Sequence, residues 1–195
     1  MRIVGGRLSG RRFDGPPGSG TRPTSERVRE AVCSALASRN AFDGAEVLDL
    51  FAGTGALAFE ALSRGATRAW LVDRDRRVTR ALRENAAKLA LETEATVVEL
   101  DLLGAADRIV RALEHHTGGK ASLVFADPPY ADAGKLGVLF RALLDGRVTR
   151  PDALFVAEFA SKTPPDFGPG LATQASYRYG DTAIAFLTRD EGTSP

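Results

Sequence analysis

"DLFAGTGALAFEAL", residues 49–62, decides how the chain is read. An apolar run ends at Phe51, glycines stand at 53 and 55, and the residues that follow carry a helical apolar pattern. Glycine tolerates the sharp backbone conformations such a turn needs and lets a ligand approach the main chain, while the helix beginning there presents unpaired amides. Strand, glycine turn and helix in immediate succession form the first half of a crossover unit. In a parallel sheet, ligands sit outside the carboxyl ends of the strands, where this turn falls.

Outward from this stretch the same rhythm repeats. Strands are expected at 47–51, 69–72, 96–98, 123–126 and 153–159, separated by helices at about 56–64, 76–90, 104–115 and 134–144. Short apolar strands between amphipathic helices imply a mostly parallel sheet covered on both faces. The rhythm then changes: "LATQASYRYG" and "TAIAFLTR" flank Gly180-Asp181, a turn signal for an antiparallel hairpin that ends the sheet. At the other end, "MRIVGGRLSGRRF" reads as a small β-hairpin or extended arm, and "DGPPGSGTRPT" as a loop. A helix capped by Thr24 or Ser25 then runs to about Ser38, with Val28, Val32, Ala35 and Leu36 along one face. The expected organisation is a basic arm over 1–20 and one catalytic domain over 21–195.

The composition fits this. A chain of 195 residues with 44% hydrophobic and 26% charged residues suits a single globular core. No apolar run reaches the ~20 residues of a membrane span and no signal-peptide core follows Met1, so a soluble, cytoplasmic protein without membrane association is expected. Cys33 is the single cysteine, which excludes an internal disulfide; flanked by Val28, Ala31, Val32 and Leu36, it is expected in the core. His115 and His116 are adjacent and do not share a helix face, so no metal site is expected.

The net charge of +1 conceals an asymmetry: residues 1–40 contain Arg2, Arg7, Arg11, Arg12, Arg22, Arg27, Arg29 and Arg39 against Asp14, Glu26 and Glu30. A basic end on a near-neutral body is the charge pattern of a polyanion-binding edge, although scattered arginines also serve as a solvated surface. Arg2, Arg7, Arg11, Arg12 and Arg22 are the candidate nucleic-acid contacts.

Asp73 closes the second strand in "WLVDRD", twenty residues beyond Gly53. A carboxylate so placed accepts bonds from ribose hydroxyls. "GTGALA" also satisfies the dinucleotide pattern GxGxxG/A, so a nicotinamide cofactor stays open on this motif alone. Asp49 argues against it, because a carboxylate beside the loop repels a pyrophosphate and suits the ammonium group of S-adenosylmethionine.

"LVFADPPY", residues 123–130, carries the chemistry. Pro128 and Pro129 have fixed φ angles and no amide donors, so together with Asp127 they offer acceptors only, and Tyr130 adds a ring. Acceptors beside a stacking face suit an exocyclic amino group on a planar base. Hydrogen bonds from that amine to Asp127 and the Pro128 carbonyl favour a pyramidal nitrogen whose lone pair is available for in-line attack on a sulfonium methyl, with Asp127 placed to help remove the proton. Methylation at a ring carbon normally uses a cysteine nucleophile, and Cys33 lies mid-helix outside any Pro-Cys turn.

Taken together, "RIVGGRLSGRRF", "TRPTSERVREAVCSAL", "VLDLFAGTGALAFEALSRGA" and "ADPPY" resemble the bacterial 16S ribosomal RNA guanine-N2 methyltransferase family, in the same order and over nearly the whole chain. The resemblance implies a Rossmann-like class I methyltransferase fold, S-adenosylmethionine as donor, and a guanine of 16S rRNA as acceptor, within an assembled small ribosomal subunit; a monomer is expected. It implies that Phe51, Ala52, Gly53 and Gly55 form the cofactor loop, Asp73 meets the ribose, Asp101 lies near the adenine amine, and Arg22 and Thr24 border the cofactor and target pocket. Asp127, Pro128, Pro129 and Tyr130 fall on the catalytic turn. Asp73 departs from the glutamate expected in "VExD", which keeps the role with shorter reach.

Other readings differ in class. A DNA adenine-N6 or cytosine-N4 methyltransferase would use DPPY equally well, but the residues after Tyr130 hold a strand and a hairpin and leave little room for a sequence-reading domain. A non-catalytic RNA-binding protein on the same fold would not need Gly53, Gly55, Asp73 and Asp127 together. A nicotinamide dehydrogenase would leave DPPY unexplained.

Overall fold

The computed structural model describes residues 1–15, 26–190 and 192. Arg22, Thr24 and the expected helix cap at 24 or 25 lie outside the described residues. The chain forms two compact units, Met1–Leu100 and Asp101–Pro195.

In the first unit, β1 (Glu46–Leu50), β2 (Arg68–Asp73) and β3 (Ala95–Glu99) alternate with α2 (Ala56–Ser63) and α3 (Arg76–Leu89), after a preceding α1 (Glu26–Ala37). The three strands are parallel with β2 central: Val47 pairs with Ala69 and Leu50 with Val72, and Ala69 pairs with Ala95 and Asp73 with Glu99. Val47, Leu48, Leu50, Ala69, Leu71 and Val72 are all buried, as strands covered on both faces require. Each of these valines and leucines contributes roughly 1.5–3 kcal/mol by leaving water. Asp75 caps α3 by accepting from the Arg77 amide at 2.7 Å, and Ala90 ends that helix in the left-handed region at φ 58°.

The N-terminal segment makes less regular structure than a hairpin. An isolated antiparallel bridge joins Arg2 to Arg12 around a 3₁₀ turn at Gly6–Leu8, and Ile3, Leu8 and Phe13 are buried. Phe13 meets the edge of Phe59 on α2 at 5.5 Å between centroids. Beneath this segment lies an ion pair with both side chains 1% exposed, Arg29 Nε to Glu60 Oε1 at 3.4 Å. Glu60 also accepts from the amides of Val4 and Gly5, and Arg29 Nη2 donates to the Arg2 carbonyl at 2.9 Å. The buried charges therefore pin the first five residues onto α1 and α2.

The second unit contains α4 (Ala106–Thr117), β4 (Ala121–Ala126), α5 (Leu136–Asp145), β5 (Thr149–Ala160), β6 (Leu171–Tyr179) and β7 (Thr182–Arg189). β4 and β5 are parallel, β7 lies antiparallel to β5, and β6 antiparallel to β7. The expected terminal hairpin turns at Gly180, φ 64°, a conformation glycine adopts without strain. Phe140 packs against Phe155 at 4.7 Å, and Phe125, Phe155 and Phe186 have no exposed surface.

Two elements differ in extent from the reading of the sequence. β5 begins at Thr149 instead of 153 and includes Pro151. The β4–β5 register shifts between Ala121 and Leu123, opposite Thr149 and Leu154, so the proline falls where the ladder is interrupted and its missing donor costs no bond. The helix expected from 134 begins as α5 at Leu136, because the residues before it, Tyr130–Lys135, form a 3₁₀ turn that runs directly into it. The fold is thus α/β with mostly parallel strands closing in an antiparallel hairpin. Among the described residues no helix is long and apolar enough to cross a membrane, and no group of three or more His, Cys, Asp or Glu side chains is arranged to hold a metal.

Candidate active site

The glycine turn is built as a cradle. Phe51 leaves β1 at φ 60°, an uncommon conformation for a residue with a side chain, and Gly53 and Gly55 follow at φ 51° and 75°. The turn is held to β2 by Ala52 donating to the Val72 carbonyl at 2.9 Å and by Gly53 donating to Asp73 Oδ2 at 3.1 Å. Asp73 Oδ1 accepts from the Asp75 amide at 2.9 Å, so both carboxylate oxygens keep lone pairs for further donors. The two glycines have different reasons. A Cβ on Gly55 would lie 2.7 Å from both Leu82 Cδ2 and Phe59 Cε2, so packing beneath the turn excludes it. A Cβ on Gly53 would meet only the Phe51 carbonyl oxygen, at 3.8 Å, which leaves the other side of the turn open to a ligand.

Asp49 is 4% exposed and lies under this turn, where its Oδ2 accepts from the Ala58 amide at 3.3 Å in the first turn of α2. It therefore orders the start of the helix whose amides face the turn. Cys33 is buried, and burial pushes its thiol up from 9.0 to about 12. A thiol so hard to ionise is not a nucleophile at neutral pH.

Of the candidate nucleic-acid contacts, Arg7 pairs with Glu94 and donates to the Leu62 carbonyl at 3.4 Å. Arg11 caps α3 through Lys88 O at 2.7 Å and Leu89 O at 3.1 Å, and Arg2 pairs with Glu26 at 3.3 Å. Arg12 is exposed. Arg2, Arg7 and Arg11 fasten the segment to the rest of the first unit as well as charging its surface.

In the second unit, β4 delivers Asp127 and Pro128 straight from Ala126. Asp127 is half-buried and Pro128 buried, whereas Pro129 and Tyr130 are exposed. Pro129 takes an extended conformation, φ −50° and ψ 136°, and its carbonyl accepts from the Asp132 amide at 2.8 Å. The diproline thus locks the chain between strand and 3₁₀ turn. Asp101 is exposed in the turn before α4, its Oδ1 accepting from the Leu103 amide at 3.1 Å. His115 and His116 are exposed on the last turn of α4.

A family model described as conserved hypothetical protein 95 matches residues 1–188. The chain belongs to this family, that of the small-subunit ribosomal RNA methyltransferase D proteins. It is 33% identical to the putative rRNA methyltransferase YlbH of Bacillus subtilis over 191 residues, covering 97% of this chain and 99% of that protein. It is 36% identical to ribosomal RNA small subunit methyltransferase D of Escherichia coli over 158 residues, covering 81% and 74%. Among solved structures it matches a putative methyltransferase, yhhF, from Escherichia coli at a TM-score of 0.77 and 32% identity, covering 97% of this chain and 98% of that one. An RNA methyltransferase from Salinibacter ruber in complex with S-adenosyl-L-homocysteine has the same fold at a TM-score of 0.61 and 18% identity, covering 85% and 94%. The Rossmann-like methyltransferase fold expected from the sequence is the fold of these relatives.

One contact of the diproline turn had no signal in the sequence. Thr182, at the start of β7, shares a hydrogen bond of 3.1 Å with the Tyr130 hydroxyl. Fifty-two positions separate the two, and only the folded second unit relates them.

Proposed function

We propose that this protein, an S-adenosylmethionine-dependent rRNA methyltransferase, transfers its methyl group to the exocyclic N2 of a guanine in 16S ribosomal RNA. The observation that carries the reading is the turn at the end of β4, in which the Asp127 carboxylate and the donor-free Pro128 and Pro129 are followed by the Tyr130 ring, in a chain whose β1 ends in a glycine cradle tied to a carboxylate. Membership of the rRNA methyltransferase D family supports the nucleic acid class.

The residues fit the donor molecule. Asp73 has carboxylate lone pairs for the ribose hydroxyls, the open side of Gly53 admits close approach, and the ordered start of α2 offers amides. Phe51 and Ala52 complete the loop, Asp49 supplies negative charge beneath it, and Asp101 serves the adenine amine; Arg22 and Thr24, outside the described residues, are assigned to the cofactor and target pocket by the family resemblance alone. S-Adenosylmethionine supplies a methyl group on a sulfonium and leaves as the neutral thioether.

On the acceptor side, Asp127 and the Pro128 carbonyl accept the two N–H bonds of the guanine amine and turn its lone pair outward. The nitrogen attacks in line, and Asp127 assists loss of the proton. The target base must leave its stack, at a cost of a few kcal/mol, and stacking on Tyr130 at ~1–3 kcal/mol offsets it. Arg2, Arg7, Arg11, Arg12 and Arg22 contact the RNA backbone, so affinity falls steeply as salt rises. The protein acts as a monomer in the cytoplasm on an assembled small subunit.

The test is methyl transfer from labelled S-adenosylmethionine to unmodified 30S particles, free 16S rRNA and duplex DNA in parallel, with nucleoside analysis of the product. N2-methylguanosine from rRNA is the expected result, and from particles in preference to free RNA. N6-methyladenine or N4-methylcytosine in the DNA would overturn the acceptor and keep the donor; absence of transfer to all three would favour a non-catalytic RNA-binding role.

A further inference from the structure

We propose that Thr182 is a positioning residue for the target base, acting by holding the Tyr130 ring at a fixed orientation; the inference rests on the acceptor chemistry proposed above. Tyr130 is 42% exposed, one of two large hydrophobic side chains on the described surface that are so open. An exposed aromatic on a turn normally samples several staggered χ1 wells and offers no defined face. Here both ends of the side chain are fixed.

At the backbone end, Tyr130 follows two prolines and opens a 3₁₀ turn closed by the Asp132 amide on the Pro129 carbonyl. At the other end its hydroxyl is hydrogen-bonded to Thr182 Oγ1 at 3.1 Å. Thr182 is itself 9% exposed, and its strand is paired on both sides, Thr182 standing opposite Ala160 of β5 and Tyr179 of β6. The anchor therefore belongs to the sheet and not to another loop. Threonine suits the position, because its branched Cβ favours a strand and restricts χ1, which aims the hydroxyl.

Cβ and the phenolic oxygen both lie on the long axis of the ring. A tyrosine fixed at these two points has its long axis set; the rotation that remains is χ2, which has two broad preferred settings, and the half-turn between them returns an equivalent face. What the tether leaves exposed is thus the ring face, on the residue that follows Asp127, Pro128 and Pro129 in the chain. A pre-ordered stacking surface spares the ordering of one flexible side chain when RNA binds.

The test compares wild type with Thr182→Val, Thr182→Ser, Tyr130→Phe and the Thr182→Val/Tyr130→Phe double variant in steady-state methyl transfer to the RNA substrate that wild type uses. Valine keeps the shape and strand preference and removes only the hydroxyl. Thr182→Val is expected to lower kcat/KM for RNA by about two- to tenfold, with S-adenosylmethionine affinity unchanged. Thr182→Ser is expected to retain activity near wild type, and the double variant to be no worse than the poorer single variant, since both remove the same bond. Wild-type kcat/KM in Thr182→Val, or losses that multiply in the double variant, would overturn the inference. So would an equal loss of S-adenosylmethionine affinity, the mark of a general structural defect. An inactive wild type would instead remove the functional reading on which the inference stands.

Discussion

The Gly53 amide donates to Asp73 Oδ2 at 3.1 Å, across twenty residues of sequence, and so ties the turn after β1 to the end of β2. The carboxylate that is proposed to receive a ribose is the same group that shapes the adjoining loop. On that proposal, loop geometry and ligand affinity are coupled through one side chain.

Asp73→Ala removes the bonds to the Gly53 and Asp75 amides together with the proposed ribose acceptor. Hydrogen bonds to a charged group are worth about 1.5–3 kcal/mol each, so S-adenosylmethionine affinity should fall at least about tenfold. Isothermal titration with S-adenosylhomocysteine measures it. Asp73→Glu, which places the family's expected residue at this position, should retain binding, whereas unaltered affinity in Asp73→Ala would remove Asp73 from the cofactor site.

Gly53→Ala and Gly55→Ala should fail in different ways. Both force a side chain into positive φ, a cost of about 1–2 kcal/mol, but only at Gly55 does the new Cβ press into Leu82, Phe59 and Leu71. Overpacking adds about 1–3 kcal/mol. Urea denaturation should therefore show the larger loss for Gly55→Ala. Gly53→Ala should stay closer to wild type in stability and lose cofactor affinity in greater proportion.

Asp127→Ala should lower kcat by about 10²–10⁴-fold, the usual range for loss of a positioned proton acceptor, with S-adenosylmethionine affinity changed less than about threefold. Single-turnover transfer separates the two. An Asp127→Ala protein that methylates at the wild-type rate would take the chemical role away from this residue.

Cys33 gives a pH-dependent signature. Its thiol is neutral in the folded protein up to about pH 12, held there mainly by burial, whereas an unfolded thiol ionises near 9.0. Below pH 9 the residue therefore contributes no pH dependence. Between pH 9 and 12 the unfolded chain gains a thiolate that the folded chain cannot form, so stability falls as pH rises. Cys33→Ala should flatten that alkaline slope, measured by urea denaturation from pH 8 to 10.5. A thiol reagent at pH 8 should modify native protein slowly and urea-unfolded protein at once.

Much of the site was legible because its parts are local. The glycine turn, the residue ending β2 and the DPPY turn are each contiguous, and each is set by residue types whose backbone preferences hold in any surroundings: glycine at positive φ at 53 and 55, proline fixing φ at 128 and 129. The strand and helix rhythm was legible for the same reason, except where a ladder irregularity admitted Pro151 and where the diproline led straight into a 3₁₀ turn. The basic character of residues 1–40 was also visible, but not its division of labour: Arg29 is buried against Glu60 and Arg11 caps α3, contacts that charge counting does not register.

The amino-acid sequence by itself determined the α/β class, the order of the elements, the place of the glycine turn and the diproline turn, because these depend on short-range periodicity and on the conformational limits of glycine and proline. Only the tertiary structure decided that Asp73 closes the loop through Gly53, that Gly55 is required by Leu82 and Leu71, and that the Tyr130 hydroxyl rests on Thr182. Each of these joins residues far apart in the chain. Such a contact exists only when packing brings two elements within hydrogen-bond or van der Waals reach, and no local preference of either residue encodes the other.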